Sequence, residues 1–207
     1  MAEDDLDKWL GAMAFTDLLE LDEKYRRGLL AINPFLDGCP PLSDGILNAH
    51  GLLLTECEPL IVEKKLASGF TMRQRPRISF FLDQGPTAAR LFEKLESRND
   101  VQVFRKKWHE DRAWERVTTV EGRTSPREGW KPIENLVYVD KPDLDWCHDV
   151  MEKADPWVAG VIGLSWEDNI DLLALLADVL EGRTWSTIQY QIIGSDGKTF
   201  GISKWLC

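Results

Sequence analysis

Three arginines recur at every second position of one short stretch, a spacing that suits phosphate binding. Arg73, Arg75 and Arg77 lie within Phe70 to Leu82, a segment predicted to be extended. On one strand, side chains two residues apart point to the same face at intervals of about 7 Å. Guanidinium groups bind phosphate oxygens through paired hydrogen bonds. The arginines are therefore predicted to form a phosphate-binding face, on a strand that Pro76 either places at a sheet edge or interrupts.

An enzyme with such a phosphate site would need a group that transfers protons, and His109 and Glu110 are the candidates. They follow Val101 to Lys107, a predicted strand that is expected to pair with Ala113 to Val120 in a hairpin. Imidazole and carboxylate groups are common general acids and bases. No histidine is spaced to activate a cysteine, so a thiol nucleophile is not predicted.

The sequence motifs that mark the large enzyme classes do not occur in the chain. There is no glycine-rich phosphate loop, dinucleotide-binding fingerprint, zinc protease motif, nucleophile elbow or calcium loop. No cofactor is predicted. No metal site is predicted either, since neighbours in sequence such as His109, Glu110 and Asp111 rarely converge on one ion. Any catalytic residues would therefore be dispersed along the chain.

The 207-residue chain has a net charge of −10, and its charges fall into three blocks. Residues 1–63 contain 4 basic and 13 acidic side chains, residues 64–131 contain 16 and 9, and residues 132–207 contain 5 and 13. A basic middle is thus flanked by two acidic segments. Two alternatives stay open for the basic middle, internal pairing with the flanks or contact with a ligand. The acidic total opposes capture of a polyanion, so nucleic acid is disfavoured as a partner.

The acidic residues offer a second kind of site, one that binds a basic protein. Asp145 and Asp149 lie four residues apart in a predicted helix and therefore share one helical face. Trp146 and Trp9 are aromatic residues of the type that anchors protein interfaces. The acidic N-terminal helix and the segment Asp140 to Asp149 are predicted to face a basic partner.

The sequence contains no apolar run of the roughly 18 residues that a membrane span requires, and its first residues are acidic where a secretory signal would be basic. Its four cysteines lie far apart, without the paired spacing of a zinc ribbon or a disulfide framework. A cytoplasmic protein without membrane contact is therefore predicted. Length and apolar content fit one compact domain over residues 1–207, with a helical N-terminal subregion at 1–36.

The order of the predicted elements favours an α+β fold with a mainly antiparallel sheet and several flanking helices. A long N-terminal helical segment precedes short strands that are joined by turns rather than by regularly alternating helices. Ser165 to Glu181 has apolar residues at helical spacing, with Ser165 or Asp168 as its N-cap, and Gly182 ends it. A β-hairpin is then predicted from Arg183 to Leu206.

These features support two main hypotheses about function. The first is a stoichiometric inhibitor that neutralises a basic enzyme, of the kind represented by immunity proteins against bacterial toxins. Enzymes that cleave polyanions have basic clefts, which an acidic surface can occupy with fast association. The alternative is an enzyme or effector that acts on a nucleotide or other phosphorylated substrate through the three arginines and His109 or Glu110. A third hypothesis is that the edge of the C-terminal hairpin binds a partner strand.

Overall fold

The structure, a computed structural model, describes residues 14–32, 46–110, 117–133, 148–182, 186–193 and 199–206. The helices within these ranges are α1 (Phe15–Ile32), α2 (Ile46–Ala49), α3 (Pro86–Glu96), α4 (His148–Ala154) and α5 (Leu172–Glu181). The strands are β1 (Leu52–Glu58), β2 (Ile61–Lys65), β3 (Thr71–Gln74), β4 (Arg77–Leu82), β5 (Val101–Lys107), β6 (Val120–Arg123), β7 (Lys131–Pro132), β8 (Trp157–Gly163), β9 (Ser186–Ile193) and β10 (Thr199–Leu206). The predicted α+β class is confirmed.

Four strands form a central antiparallel sheet in the order β1, β4, β8, β5. Helices α3 and α5 pack over one face of this sheet, while α1 and α4 pack over the other. The register places Leu82 and Lys107 opposite Trp157 at one end of the sheet. Arg77 lies opposite Ile162 at the other end. The residues predicted to bind phosphate and those predicted to transfer protons are divided between these two ends.

Strand β4 has five consecutive buried residues because each of its faces meets a helical layer. Ile78, Phe80 and Leu82 belong to the core under α3 and α5, whereas Phe81 belongs to the core under α1 and α4. Successive side chains of a strand point to opposite faces, so both alternating sets of side chains are buried when helices cover both faces of the strand. Burying each of these side chains contributes about 2 kcal/mol to folding.

Strands β2, β3, β6 and β7 form a second antiparallel sheet. The chain passes from this sheet to the central one at Arg75 and Pro76, which separate β3 from β4. Of the two outcomes predicted for Pro76, interruption of the strand is therefore the one observed. Gly122 of β6 lies against Phe70 and Ile133, and a Cβ at this position would overlap both side chains.

Helix α5 begins later than the sequence pattern predicts. Its N-cap is Asp171, whose Oδ1 accepts a hydrogen bond from the backbone N–H of Ala174 at 3.0 Å. Ser165 and Asp168 instead form a separate turn, in which Ser165 Oγ accepts the backbone N–H of Asp168 at 2.8 Å. Gly182 ends the helix as predicted, in the left-handed conformation with φ 68° that glycine adopts at little cost.

The C-terminal hairpin is present, with β9 and β10 paired antiparallel so that Ser186 lies opposite Leu206. The hairpin predicted for Val101 to Lys107 and Ala113 to Val120 is not found among the described residues. Strand β5 pairs with β8, and Val120 belongs to β6, which pairs with β3. Helix α1 accounts for part of the predicted N-terminal helical segment, whose first residues lie outside the described ranges.

Candidate functional site

A cleft of about 510 Å³ opens between α1, α2 and the turn that joins β4 to α3. Three carboxylates line it, those of Glu20, Glu23 and Asp83, and its lining includes neither lysine nor arginine. The full lining is Thr16, Leu19, Glu20, Glu23, Asn48, Ala49, His50, Gly51, Asp83, Gln84, Gly85, Pro86 and Thr87. Concave surfaces lined by one sign of charge focus the electric field. This acidic cleft therefore presents a negative potential to a partner.

Two of the three carboxylates are positioned by the periodicity of α1. Phe15, Leu18 and Leu19 are buried, and they anchor one side of the helix to the sheet. Glu20 and Glu23 are three residues apart and therefore lie on one side of the helix, where both reach the cleft. An amphipathic helix thus supplies the acidic wall.

The third carboxylate is positioned by the turn between α2 and β1. Gly51 has φ 80°, a conformation that glycine adopts readily because it lacks a Cβ. Its carbonyl oxygen accepts the backbone N–H of Asp83 at 3.0 Å, directly after β4. Asp83 is therefore held at the rim of the cleft, opposite the helix that carries Glu20.

A buried polar pair ties the two helices of the cleft together. Asn48 of α2 donates a hydrogen bond from Nδ2 to Oδ2 of Asp22 on α1, at 2.9 Å. Both residues are buried, and a hydrogen bond of this kind is costly to break because each group would be left in a medium of low dielectric constant. The pair fixes the separation of the cleft walls.

A second cleft, of about 570 Å³, lies at the start of α5. Its carboxylates are already engaged within the protein. Asp100 is held by Arg98, Asp168 accepts a hydrogen bond from the hydroxyl of Ser165, and Asp171 caps α5. Glu20 and Asp83 of the acidic cleft, by contrast, make no hydrogen bond or ion pair through their side chains with any described residue. The acidic cleft is therefore the stronger candidate for a binding site.

The arginines predicted to bind phosphate lie at the passage between the two sheets. The guanidinium of Arg73 lies 4.8 Å from the ring centroids of both Trp130 and Trp166, and that of Arg75 lies 5.0 Å from Trp166. Arg123 of β6 stacks on the other ring, 4.4 Å from the centroid of Trp130. Cations over indole faces are favourable contacts. Arg73 and Arg75 therefore lie close together. The groups that contact their guanidinium faces are tryptophans of the chain itself.

Each of the three arginines also has a polar partner within the protein. Arg73 pairs with Glu121, and Arg75 donates to the carbonyl of Thr118. Arg77 lies 2.9 Å from Glu58 and 3.4 Å from Glu56, so it contacts the acidic first segment of the chain. The structure therefore shows internal pairing of the basic middle at these positions.

Arg75 is the most deeply placed of these cations, with 8% of its surface exposed. Burial lowers the pKa of its guanidinium, because a low-dielectric environment disfavours charge, and nearby Glu121 opposes that shift. Its Nε is buried without a hydrogen-bond partner in the described part of the chain. The guanidinium of Arg75 is therefore packed against the ring of Trp166 and hydrogen-bonded to Thr118, contacts that give it a structural role.

His109 and Glu110 lie at the opposite end of the central sheet from the arginines. They follow Lys107, which is opposite Trp157, whereas Arg77 is opposite Ile162. Five residues along a strand separate the two positions by about 17 Å. The structure does not bring these residues to one substrate-sized site.

Of the residues predicted to bind a partner, Asp149 is described and is exposed on α4. Val150 and Met151 of the same helix pack in one core cluster with Phe15 and Leu18 of α1. The two acidic elements singled out by the sequence are therefore neighbours. Asp145, Trp146 and Trp9 lie outside the described residues.

Sequence reasoning identified α1 as an acidic surface but missed Asp83 and His50 as members of the cleft. Asp83 follows a buried strand, and only its hydrogen bond to Gly51 shows where it faces. No group of three or more metal-binding side chains converges in the described ranges. Of the helices in those ranges, none has the length and apolar character that a membrane crossing requires.

Comparison with protein-family models and with curated proteins finds no match to this chain.

Proposed function

We propose that the protein binds a basic macromolecular partner and acts as a stoichiometric inhibitor, in the manner of an immunity protein that neutralises a toxin in the cytoplasm. The observation that carries the proposal is the acidic cleft, with three carboxylates and no lysine or arginine in its lining. A lysine or arginine side chain of a partner would have both charge complementarity and room in this cleft.

The internal pairing of the arginines supports an acidic binding surface. Arg73, Arg77 and Arg123 each contact a glutamate elsewhere in the chain, so these three cations do not neutralise the carboxylates of the acidic cleft. Carboxylates such as those of Glu20 and Asp83, which have no ion-pair partner among the described residues, then contribute to the net charge of −10. Asp149 on the neighbouring helix α4 would extend the same surface.

An acidic surface of this kind should act mainly on the rate of association. Opposite charges steer the encounter of two proteins and raise the association rate by about 10-fold to 1000-fold, an effect that salt reduces. Binding should therefore weaken as ionic strength rises. Anchoring side chains outside the described residues, among them Trp9 and Trp146, would then slow dissociation.

The test is a capture experiment followed by titration of the captured protein. Immobilised wild-type protein should retain a basic protein from the native lysate, and one equivalent should abolish that protein's activity. Glu20→Lys combined with Asp83→Lys should slow association at low salt by at least about tenfold. Glu93→Lys combined with Glu167→Lys changes the net charge equally at exposed positions elsewhere and should bind nearly as the wild type does. Equal binding by both double variants would exclude the cleft.

One observation favours the second candidate, an enzyme or effector that acts on a nucleotide or other phosphorylated substrate. The Nε of Arg75 is a buried donor with no partner among the described residues, and oxyanions are natural acceptors for it. Titration with pyrophosphate, followed by phosphorus NMR, should show binding that Arg75→Lys removes. Loss of turnover in a folded His109→Ala variant would support catalysis, whereas an unaffected variant would favour the inhibitor.

A further inference from the structure

The second sheet has two faces of different character, and the strand register separates them. Arg73 and Glu121 lie opposite each other and form an ion pair on one face, where the ring of Trp130 covers Arg73. Another row of directly opposite residues crosses all four strands, and its members are Lys64, Met72, Gly122 and Lys131. Directly opposite residues of an antiparallel sheet share a face, and successive residues of a strand alternate between faces. This row therefore lies on the face that points away from Arg73.

The middle of the row is apolar and partly exposed. Gly122 has no side chain, and the side chains of Phe70 and Ile133 close over it. Phe70 and Met72 are half-buried, while Ile133 keeps 38% of its surface exposed. Among the described residues only three large apolar side chains are at least this exposed, and two of them, Ile133 and Val62 of β2, lie in or directly after strands of this sheet. The second sheet thus carries an apolar patch that the described chain leaves open to solvent.

Both ends of the row are positively charged. Lys64 lies on the edge strand β2 and Lys131 on the edge strand β7, and both are exposed. Neither ammonium group has an ion-pair partner within the described ranges, in contrast to Arg73 and Arg123. Three spacings between strands separate the two lysines, a distance of about 14 Å. We name this surface the lysine-flanked face, and its residues are Lys64, Phe70, Met72, Gly122, Lys131 and Ile133.

We propose that the lysine-flanked face docks an acidic segment of a partner protein, in which an apolar side chain lies between two carboxylates. Lys64 and Lys131 pair with the carboxylates, and the apolar side chain packs on Phe70 and Ile133. Charge complementarity selects the acidic segment, and the apolar patch between the lysines selects its middle residue. The acidic cleft is built from other elements, so this proposal does not rest on the function proposed above.

An extended segment matches the spacing of the two lysines. Side chains two residues apart on a strand lie on one face about 7 Å apart, so positions i, i+2 and i+4 span about 14 Å. The pattern Glu-x-Leu-x-Glu therefore brings one carboxylate to each lysine and a leucine to the apolar middle. Burial of the leucine supplies hydrophobic free energy, and the exposed ion pairs mainly fix the orientation of the segment.

The charges favour an acidic protein segment over an anionic membrane. Electrostatic attachment to a membrane uses clusters of about four to eight lysines or arginines, whereas this face carries two among the described residues. The net charge of −10 also repels an extended anionic surface, while a short segment interacts mainly with the lysines close to it. Lysine on an edge strand opposes the addition of a further strand, so the segment is expected to cross the face of the sheet.

The proposal divides the basic middle of the sequence into two groups of cations. Arg73, Arg77 and Arg123 are paired with glutamates inside the protein. Lys64 and Lys131 have no such partners in the described ranges and lie on the face opposite that of Arg73. Internal pairing then applies to the arginines, and contact with a ligand applies to the lysines.

An NMR titration of the isotope-labelled full chain with an acidic probe peptide tests the docking surface. The probe is Ser-Glu-Ser-Leu-Ser-Glu-Ser, blocked at both ends, and the backbone amide signals that should shift are those of Lys64, Met72, Gly122 and Lys131. The amide of Asp83 in the acidic cleft should not shift. A peptide with lysine in place of both glutamates should leave the lysine-flanked face unchanged. Shifts confined to other parts of the protein, or none at all, would overturn the proposal.

Charge variants test the contribution of the two lysines. Lys64→Glu combined with Lys131→Glu should weaken binding of the probe at least about tenfold at low salt, because repulsion replaces two ion pairs. Lys94→Glu combined with Lys153→Glu makes the same change in net charge at exposed positions of α3 and α4, and this control should bind nearly as the wild type does. An equal loss in both double variants would mean that only the total charge matters, and the proposal would then be wrong.

A second pair of variants tests the apolar middle of the face. Ile133→Ser should weaken binding of the probe about threefold or more, because the leucine loses its apolar contact. Leu164→Ser is the matched control, since Leu164 is 39% exposed and lies outside this sheet. Equal binding by the two variants would contradict the proposed contact. Vesicles of phosphatidylserine test the membrane alternative, and wild-type protein that sediments with them without responding to the peptide would overturn the proposal.

Discussion

Arg73 of β3 and Glu121 of β6 lie directly opposite each other in the second sheet, and their side chains form an ion pair. The Nε of Arg73 lies 2.9 Å from Oε2 of Glu121. The same guanidinium lies 4.8 Å from the rings of Trp130 and Trp166. One arginine thus connects two strands and two loops, and a charge that the sequence offers to a ligand is neutralised inside the protein.

Replacement of Arg73 by alanine should lower the free energy of unfolding by about 2 kcal/mol, because Glu121 would be left half-buried without its partner. Urea denaturation measures the loss. The exposed Arg127→Ala should change stability by less than about 0.5 kcal/mol. The double variant Arg73→Ala with Glu121→Ala should lose less than the sum of the two single variants. Strictly additive losses would show that the two side chains are not coupled.

Addition of one methyl group at Gly122 should destabilise the second sheet. A Cβ at this position overlaps Phe70 and Ile133, so the ring of Phe70 must move off the sheet in Gly122→Ala. The expected cost is about 1 to 3 kcal/mol, measured as a lower melting temperature. Phe70→Leu should restore part of the stability in that background. Gly85→Ala, where a Cβ meets open space, serves as the control.

Asp171 should contribute more to α5 than either residue of the turn that precedes it. Its side chain accepts a hydrogen bond from the first turn of the helix, so Asp171→Ala should cost about 1 kcal/mol in a denaturation experiment. Ser165→Ala should cost less, about 0.5 kcal/mol, because its hydroxyl stabilises only an exposed turn. The reverse order would indicate a helix that starts near Ser165.

Asp100 should make stability depend on pH at the acidic end of the range. Hydrogen bonds from Arg98 lower the pKa of Asp100, with its Oδ1 2.8 Å from Nε of Arg98. A carboxylate with a lowered pKa stabilises the fold above its unfolded-state pKa of about 3.9, and the contribution disappears as pH falls through the folded-state value. Asp100→Asn should therefore be less stable than wild type at pH 7, by a few tenths of a kcal/mol because the pair is partly exposed.

The check is chemical denaturation of both proteins from pH 7 down to the lowest pH at which they remain folded. The difference in the free energy of unfolding should shrink as pH falls. A difference that stays constant over this range would mean that the charge of Asp100 has no role.

Local signals in the sequence predicted several elements closely. The buried residues Leu91, Phe92 and Leu95 of α3 lie at helical spacing, a pattern that is visible in the sequence. Gly182 ends α5, and the alternating residues that follow form the hairpin of β9 and β10. Each of these signals acts over one or two turns of backbone, which is the range that a sequence pattern can encode.

The three arginines show what a local sequence pattern does not predict, namely the partners of a side chain in the folded protein. Their alternation correctly indicated an extended chain, but Pro76 divides that chain between two sheets. The partners of Arg73 and Arg77 are Glu121 and Glu58, which approach only after strands distant in sequence have paired. Whether the basic middle would face a ligand or pair internally could not be decided without that register.

The sequence by itself determined the α+β class, the acidic character of α1 and the ends of several elements, since these depend on composition and short-range periodicity. Only the tertiary structure decided that Asp83 joins Glu20 and Glu23 in one cleft, that His109 meets Glu152, and that His109 and Glu110 lie at the opposite end of the central sheet from the arginines predicted to bind phosphate. The physical reason is the same in each case. Strand register and helix packing set these distances, and both depend on how buried surfaces fit together across the whole chain.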